Sequence, residues 1–253
     1  MLYCKGYMKY SIITPTYKRP ELLKRCVDSL FLQEHNDWEM IIVNDSPDFD
    51  YDNIEKYLSG LSEQRIRYFK NTENMGVNFS RNYALKNISV RSDYIIFLDD
   101  DDFFFNDSLV NIENILKENK YDWLVTNRAF ENRRLVKIRN DTRESYEYFW
   151  DMLIFKNFSG DVTHTINSKI ARKYKFEESV KNGEEWTYFI QLPSNITYKN
   201  INTTDTDGYL EGGLTDKLKN KYKENTEILW SNIKNIKMFI ILILRQINII
   251  VRK

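Results

Sequence analysis

The run Tyr94-Ile95-Ile96-Phe97-Leu98 passes directly into Asp99, Asp100, Asp101 and Asp102, with no turn residue between strand and charge. A buried strand that ends in carboxylates must end where its charge can be offset, because like charges this close repel unless a cation or a proton intervenes. A hard divalent cation suits the task. Backbone alternation would set Asp99 and Asp101 on one face, so Asp101 is the expected direct ligand of Mn2+ or Mg2+. An acidic run taken alone is usually a solvated turn, and this one is no EF-hand, because Phe103, Phe104 and Phe105 stand where that loop needs oxygens and a glycine.

The segments upstream repeat one order, strand then helix. Tyr10 to Thr14 reads as a strand, Pro15 and Pro20 bracket the loop Thr16-Tyr17-Lys18-Arg19, and Leu22, Leu23, Cys26, Val27 and Leu30 follow helical spacing. Glu39 to Val43 is a second strand, closed by Asn44-Asp45-Ser46-Pro47-Asp48, and a helix through Ile54, Tyr57, Leu58 and Leu61 leads to a third, Arg65 to Phe69. A turn at Asn74-Met75-Gly76, a helix from Asn78 to Ile88 and the strand Tyr94 to Leu98 complete the pattern. Repeated right-handed crossovers predict an α/β fold with a single Rossmann-like, mostly parallel sheet flanked by helices. Ligands of such sheets bind beyond the carboxyl ends of the strands. Thr14 to Tyr17, Asn44 to Asp48 and Asp99 to Asp102 should therefore line one crevice. Farther on, Ser108 to Leu116 reads as a helix and Trp123 to Thr126 as a strand; an irregular half follows, with a helix near Tyr146 to Phe155 and a loop around Asn157 to Asp161.

Charge and composition remove several function classes. With 37 basic and 37 acidic residues the chain has no global field to draw it to nucleic acid, so any electrostatic role is local. Neither GxGxxG nor a P-loop is present, which leaves dinucleotide binding and NTP hydrolysis without support. Cys4 and Cys26 form no CxxC pair and no metal-ligand spacing, and Met1 to Tyr10 has no apolar signal region. Both points favour a reducing, cytoplasmic setting, with Cys26 in the core.

Other candidates have an ordinary structural reading beside the functional one. Asp45 can accept from a base N–H or a ribose hydroxyl, or can make an Asx turn before Pro47. Arg81 can bind a base carbonyl or a phosphate, or can be an exposed helix arginine. His35 lies in the polar stretch Gln33-Glu34-His35-Asn36-Asp37 and is expected to be solvated; His164 could reach a diphosphate or an acceptor, but a structural histidine is the commoner case.

Together, Ser11 to Tyr17, Ile41 to Ser46, Asn74-Met75-Gly76 with Ser80-Arg81-Asn82, and Tyr94 to Asp102 resemble the family 2 glycosyltransferases of the GT-A fold. The resemblance is close over residues 9 to 125 and looser to Leu192. It implies an inverting, metal-dependent transfer of a sugar from a nucleotide-sugar donor, UDP-linked, to a hydroxyl of a glycan or lipid-linked acceptor in cell-surface polysaccharide synthesis. In that family the positions matching Thr14, Thr16 and Tyr17 line the nucleoside pocket, those matching Asp45 and Arg81 contact the nucleotide, and the DxD element falls on Asp99-Asp100-Asp101. Asp99 would lie near the ribose and Asp101 on the metal. Asp100 replaces a commonly small residue, and Asn44 a frequent acid.

An inverting transfer needs a carboxylate to deprotonate the acceptor. Asn182-Gly183-Glu184-Glu185-Trp186 resembles the family's Gly-Glu-Asp segment, which assigns the base to Glu185 with Glu184 as fallback; both acids would also suit a helix N-terminus. Trp186 can stack on sugar or acceptor, or anchor the core. Thr203 to Gly208, with Gly212-Gly213, suggests a mobile loop over the donor.

The implied organisation is a disordered extension at 1–8, a nucleotide-sugar-binding half at 9–125, an acceptor and catalytic-base half at 126–215, and a helical tail at 216–253. Within the tail, Ile233 to Val251 is amphipathic: Lys234, Lys237, Arg245, Asn248 and Arg252 share one half, and Ile236, Phe239, Ile240, Ile243, Ile247 and Ile250 the other. Such a helix can lie in an anionic membrane interface, as a peripheral anchor at the inner face of the membrane, or can pack on protein. A nucleotidyltransferase of similar sheet architecture and a non-catalytic nucleotide-sugar-binding relative are the alternative readings.

Overall fold

The computed structural model describes residues 7–61, 64–130, 141–146, 150, 162–181, 183–208 and 214–251. Its first half follows the expected alternation: β1 (Tyr10–Thr16), α1 (Pro20–Phe31), β2 (Trp38–Asn44), α2 (Asp52–Gly60), β3 (Ile66–Lys70), α3 (Val77–Asn87) and β4 (Tyr94–Phe97). Then come β5 (Phe103–Phe104), α4 (Ser108–Glu118), β6 (Trp123–Phe130), β7 (Asp141–Tyr146), β8 (Val162–Asn167), α5 (Ser168–Ala171), α6 (Trp186–Phe189), β9 (Ile196–Gly208), α7 (Leu214–Trp230) and α8 (Ile236–Val251).

Among the described residues 9 strands form one sheet, in the order β3-β2-β1-β4-β8-β6-β9-β5, with β7 paired to β9. Pairing is parallel from β3 through β4. It then changes, because β8 enters antiparallel to both β4 and β6. The sheet is therefore mixed, and the expected parallel order describes its amino-terminal half and the β6–β9 pair. Every residue of β1 and β2 is buried, as strands covered on both faces must be. Alternate side chains divide between two cores. Ile13, Ile41, Val43 and Ile95 meet α3 and the aromatic group Phe176, Tyr188 and Phe189; Ile12, Met40, Ile42 and Ile96 meet Leu23, Val27 and Leu30 of α1 and Leu109, Ile112 and Leu116 of α4. Cys26 is buried in the second core, as expected, and its thiol donates to Asp99 O at 3.8 Å.

Two expectations are corrected. His35 is not solvated: it is 1 % exposed, accepts at Nδ1 from Asp37 N at 3.2 Å, and places Nε2 3.6 Å from Glu113 Oε1. The partner carboxylate comes from α4, which no local reading of the loop could supply. Glu113 also accepts from Met8 N at 3.0 Å, and Tyr7 packs edge-on against His35, so these two residues of the amino-terminal extension join the core edge; residues 1–6 lie outside the described residues. Second, Thr203 to Gly208 is no loop but the end of β9, paired with β6 and with β5. Its Thr-rich alternation suits a strand, and the single glycine ends it. Gly212-Gly213, the loop at Asn157 to Asp161 and most of the helix expected near Tyr146 to Phe155 lie outside the described residues, although Tyr146 itself closes β7.

In the tail, one face packs on protein, one of the two arrangements expected for it. Helix α8 turns part of its charged half inward: Met238, Ile241, Leu242 and Arg245 are buried, and Lys234, just before it, places Nζ 2.6 Å from Glu177 Oε2. Ile236, Phe239, Ile243, Leu244 and Ile247 are exposed. No helix among the described residues is long and apolar enough to cross a membrane.

One backbone contact holds α3 to the later half of the chain. Gly76 has φ +93°, and a Cβ there would fall 2.5 Å from Lys181 O and 2.6 Å from Lys181 Cα, while Val77 N donates to the same carbonyl at 2.9 Å. Neither backbone can move without breaking that bond. Gly76→Ala should therefore cost about 3 kcal/mol of stability; a urea unfolding midpoint equal to that of the parent would refute this contact as a constraint.

Candidate active site

The acidic turn is tied to the end of β1. Thr16 Oγ1 donates to Asp100 Oδ2 at 2.7 Å and lies 2.9 Å from Tyr51 Oη, and Tyr17 N reaches the same carboxylate at 3.4 Å. Asp100 is thus a buried tie. Burial pushes its carboxyl up to about 7; the bond from Thr16 opposes that shift and neighbouring Asp101 adds to it. Thr14 is buried inside β1, and Tyr17 is the exposed member of this group. Arg19 Nη1 lies 2.5 Å from Asp101 Oδ2, and Arg25 Nη2 donates to Asp101 O at 2.6 Å.

Asp99, Asp101 and Asp102 each bring one oxygen within 4.8 Å of the others. An all-oxygen, anionic donor set of this kind fits Mg2+ or Mn2+. Asp102 joins the two aspartates expected from strand alternation, because the chain turns after Phe97 instead of continuing extended.

At the end of β2, Asp45 gathers a second turn. Its Oδ1 accepts from Asn71 Nδ2 at 2.8 Å and Met75 N at 2.7 Å, and its Oδ2 from Gly76 N at 2.8 Å. The Asx turn before Pro47 is made by Asn44, whose Oδ1 accepts from Ser46 N at 2.8 Å. The β1 and β2 ends are joined directly: Asp45 N donates to Thr16 O at 2.9 Å, and Lys18 N to Ser46 Oγ at 3.0 Å.

Helix α3 follows this turn and is polar where it is most buried. Asn78, Arg81 and Asn82, at i, i+3 and i+4, share one face. Asn78 Nδ2 donates to the carbonyls of Glu177, Val180 and Gly183 at 2.8, 3.2 and 3.0 Å, and Asn82 exchanges bonds with both backbone groups of Phe176. The segment Phe176 to Gly183 is thereby fixed on the helix. Arg81 is 5 % exposed, not a surface arginine. Its Nη2 donates to Asp99 Oδ1 and its Nη1 to Glu185 Oε1, each at 2.8 Å. Burial works against the guanidinium charge, and the Glu185 and Asp99 carboxylates outweigh it, holding its pKa above the ordinary value.

Glu184 and Glu185 have opposite surroundings. Half of the Glu185 side chain is exposed, against 8 % for Glu184. The Glu184 carboxylate accepts from Arg245 Nη1 and Nη2 at 2.5 and 2.8 Å, Trp186 Nε1 at 2.5 Å and Asn225 Nδ2 at 3.2 Å. Trp186 is partly buried against the core and directs its indole N–H to Glu184. His164 is not brought to the acidic turn: it accepts from Trp123 Nε1 at 3.1 Å and packs 4.4 Å from the Phe189 ring.

The structure therefore collects Thr16, Tyr17, Asp45, Arg81, the acidic turn and Glu185 around the carboxyl ends of β1, β2 and β4. Comparison with known proteins agrees with this architecture: the model of the family described as "Glycosyl transferase family 2" matches residues 11–180. The chain belongs to that family. Over 92 residues it is 36% identical to the putative colanic acid biosynthesis glycosyl transferase WcaA of Escherichia coli (strain K12), covering 36% of this chain and 32% of that protein. Over 202 residues it is 25% identical to the minor teichoic acid biosynthesis protein GgaA of Bacillus subtilis (strain 168), covering 72% of this chain and 43% of that one. The chain spans less than half the length of either relative. The crystal structure of S. aureus TarS superposes with a TM-score of 0.66 at 21% identity, over 87% of this chain and 39% of TarS. A shorter form, TarS 1-349 in complex with UDP-GlcNAc, gives 0.65 at 18% identity, over 87% of this chain and 65% of that one. These likenesses establish the GT-A fold.

The family match includes Asp45, Arg81 and the acidic run but ends before Glu184 and Glu185. Three arginines at the site escaped the sequence reading. Arg19 and Arg25 are cations whose partners lie a long way along the chain, and Arg245 was assigned to a surface stripe. The i, i+3, i+4 spacing of Asn78, Arg81 and Asn82 was a usable signal, since three polar residues on one face with no Lys or Glu among them suit burial against backbone.

Asp45→Asn would turn its amide N–H either toward Gly76 N or toward both Asn71 Nδ2 and Met75 N, and would leave all three donors without a charged acceptor. A loss of about 2 kcal/mol is expected. Chemical denaturation checks it, and a variant as stable as the parent would show that the Asn74–Gly76 turn does not depend on this carboxylate.

Proposed function

We propose that this protein transfers a sugar from a UDP-linked donor to a hydroxyl of a glycan or lipid-linked acceptor, with inversion, in the synthesis of a cell-surface polysaccharide. The observation that carries the reading is the buried Arg81, which links Asp99 of the acidic turn to the half-exposed Glu185 at 2.8 Å on each side. Donor and acceptor machinery thus share one cation. The relatives named for colanic acid and teichoic acid biosynthesis support a polysaccharide product. TarS, with UDP-GlcNAc bound to the same fold, supports a UDP donor.

In this reading Thr16 and Tyr17 line the nucleoside pocket with Asp45, and Thr14, buried inside β1, supports it from beneath. A carboxylate offers about four acceptor positions, and the described residues fill three at Asp45, which leaves room for a base N–H. Asp99 borders the ribose. Asp101, with Asp99 and Asp102, would hold the divalent cation, Mn2+ or Mg2+, whose charge offsets that gathering on the departing diphosphate. Glu185 takes the acceptor hydroxyl proton as that oxygen bonds to the anomeric carbon, on the face opposite the breaking bond to the diphosphate. A single displacement of this kind inverts the centre. Glu184 is engaged by its four donors, so the base role goes to its neighbour. The apolar face that α8 leaves outward supports a peripheral position at the cytoplasmic surface of a membrane, where a lipid-linked acceptor would reside.

The test is release of UDP from a panel of UDP-sugars with and without manganese. Turnover of at least one donor, dependent on metal, is expected. Asp101→Ala should abolish the metal-dependent gain in donor affinity, and full retention would reject the assignment of the ligand. Glu185→Gln should bind donor within about twofold of the parent yet turn over about 10²- to 10⁴-fold more slowly. Parental turnover in that variant would remove Glu185 from the base role.

A further inference from the structure

The carboxyl-terminal helix reaches into the catalytic segment. We infer that Arg245 of α8 is a positioning residue for transfer: it grips the Glu184 carboxylate with both arms of its guanidinium and so sets the direction of Glu185. The inference rests on the reading of Glu185 as base, and concerns a residue outside the span matched by the family model.

The backbone gives the reason a grip is needed. Gly183 and Glu184 both lie in the left-handed region, at φ +69° and +63°. Glycine tolerates this; a glutamate persists there only where its surroundings over-determine it. Arg245 supplies the restraint. Besides its two bonds to Glu184, its Nε donates to Thr226 Oγ1 at 3.0 Å and its guanidinium stacks 3.9 Å from the Tyr222 ring. The fork is thus held flat against α7, and a planar fork fixes a carboxylate in direction as well as distance.

Immediately after this left-handed pair, Glu185 returns to ordinary helical geometry with φ −59° and caps α6. Thr187 N and Oγ1 donate to Glu184 O at 3.0 and 2.7 Å, so the carbonyl on one side of Glu185 is tied down as firmly as the side chain before it. Two adjacent acids are consequently fixed by two arginines from different helices, Glu185 by Arg81 of α3 and Glu184 by Arg245 of α8. A misplacement of about 1 Å at a reacting group can cost about 100-fold in rate.

The experiment compares Arg245→Met, Arg245→Lys, Glu184→Gln, the Met/Gln double variant and Glu185→Gln, using the UDP-sugar that the panel identifies as turned over fastest, in saturating manganese. Rates are normalised to UDP-binding sites counted by calorimetry, so a fraction of unfolded protein does not register as slow catalysis. Arg245→Met should lower kcat about 10- to 100-fold with donor KM within about twofold, and Arg245→Lys should recover part of the loss. The double variant should turn over no more slowly than its worse parent, because both changes break one contact. The Trp186 indole N–H resonance, bonded to the same carboxylate, should shift in Arg245→Met even without donor. A normalised kcat within twofold of the parent in Arg245→Met, or losses that multiply in the double variant, would overturn the inference. If Glu185→Gln is inactive while Arg245→Met is unchanged, the positioning role alone falls; if Glu185→Gln is fully active, the base assignment falls and this role with it.

Discussion

A buried guanidinium holds the site together. Arg81 gives up nearly all its hydration, a cost of several kcal/mol that only close, well-aligned carboxylates can offset. Asp99 and Glu185 do so from segments that are far apart in sequence, one at the end of β4 and the other at the start of α6. Loss of either would leave the buried guanidinium with one carboxylate in place of two, a weaker return for its lost hydration. The fixed geometry of the crevice therefore follows from the burial of α3. That burial is in turn possible because the amide N–H groups of Asn78 and Asn82 meet the carbonyls of Glu177, Val180, Gly183 and Phe176, so these donors reach the interior with acceptors in place.

The same logic separates what the sequence disclosed from what it concealed. The strands and helices up to Phe97 were legible because each carries its own period, and each ends at a local signal such as Pro20 or Asn74-Met75-Gly76. Resemblance then pointed to Asp45, Arg81 and the acidic run, which the fold assembles around one crevice. What a local pattern cannot state is which distant group will neutralise a polar side chain. His35 looked solvated because Glu113 belongs to a later helix, and Arg245 looked like a surface cation because Glu184 precedes it by sixty-one residues. Thr203 to Gly208 was read as a loop from its glycine, although its partner strands decide the matter and lie elsewhere in the chain.

The acidic turn shows how four identical residues acquire different tasks. Asp100 points into the protein, and burial raises its carboxyl to about 7, with the bond from Thr16 opposing the shift and Asp101 adding to it. For an acid raised in the folded state, the stabilisation relative to the unfolded chain is complete below the ordinary carboxyl range and is lost as pH rises through about 7. Asp99 is engaged by Arg81 and Asp101 by Arg19, so the protein already sets cations against two of the three carboxylates that fit a metal. Arg19 is the more exposed of these two arginines, and hence the one whose displacement costs less.

The tail helix carries apolar residues on both faces and one buried arginine between them. A helix on a soluble domain ordinarily turns apolar residues inward and charge outward. Here Met238, Ile241 and Leu242 follow that rule, but Arg245 is buried with them against Glu184 and the largely exposed Lys234 reaches Glu177, while Ile236, Phe239, Ile243, Leu244 and Ile247 face away. Both carboxylates belong to the stretch that α3 also holds, so the segment carrying Glu185 is clasped from two sides. If the outer face of α8 rests on a lipid surface, as proposed, the helix that orients the base is also the helix that meets the membrane. Acceptor delivery and acceptor deprotonation would then be set by one rigid element, and the distance between the membrane and Glu185 would be fixed by packing.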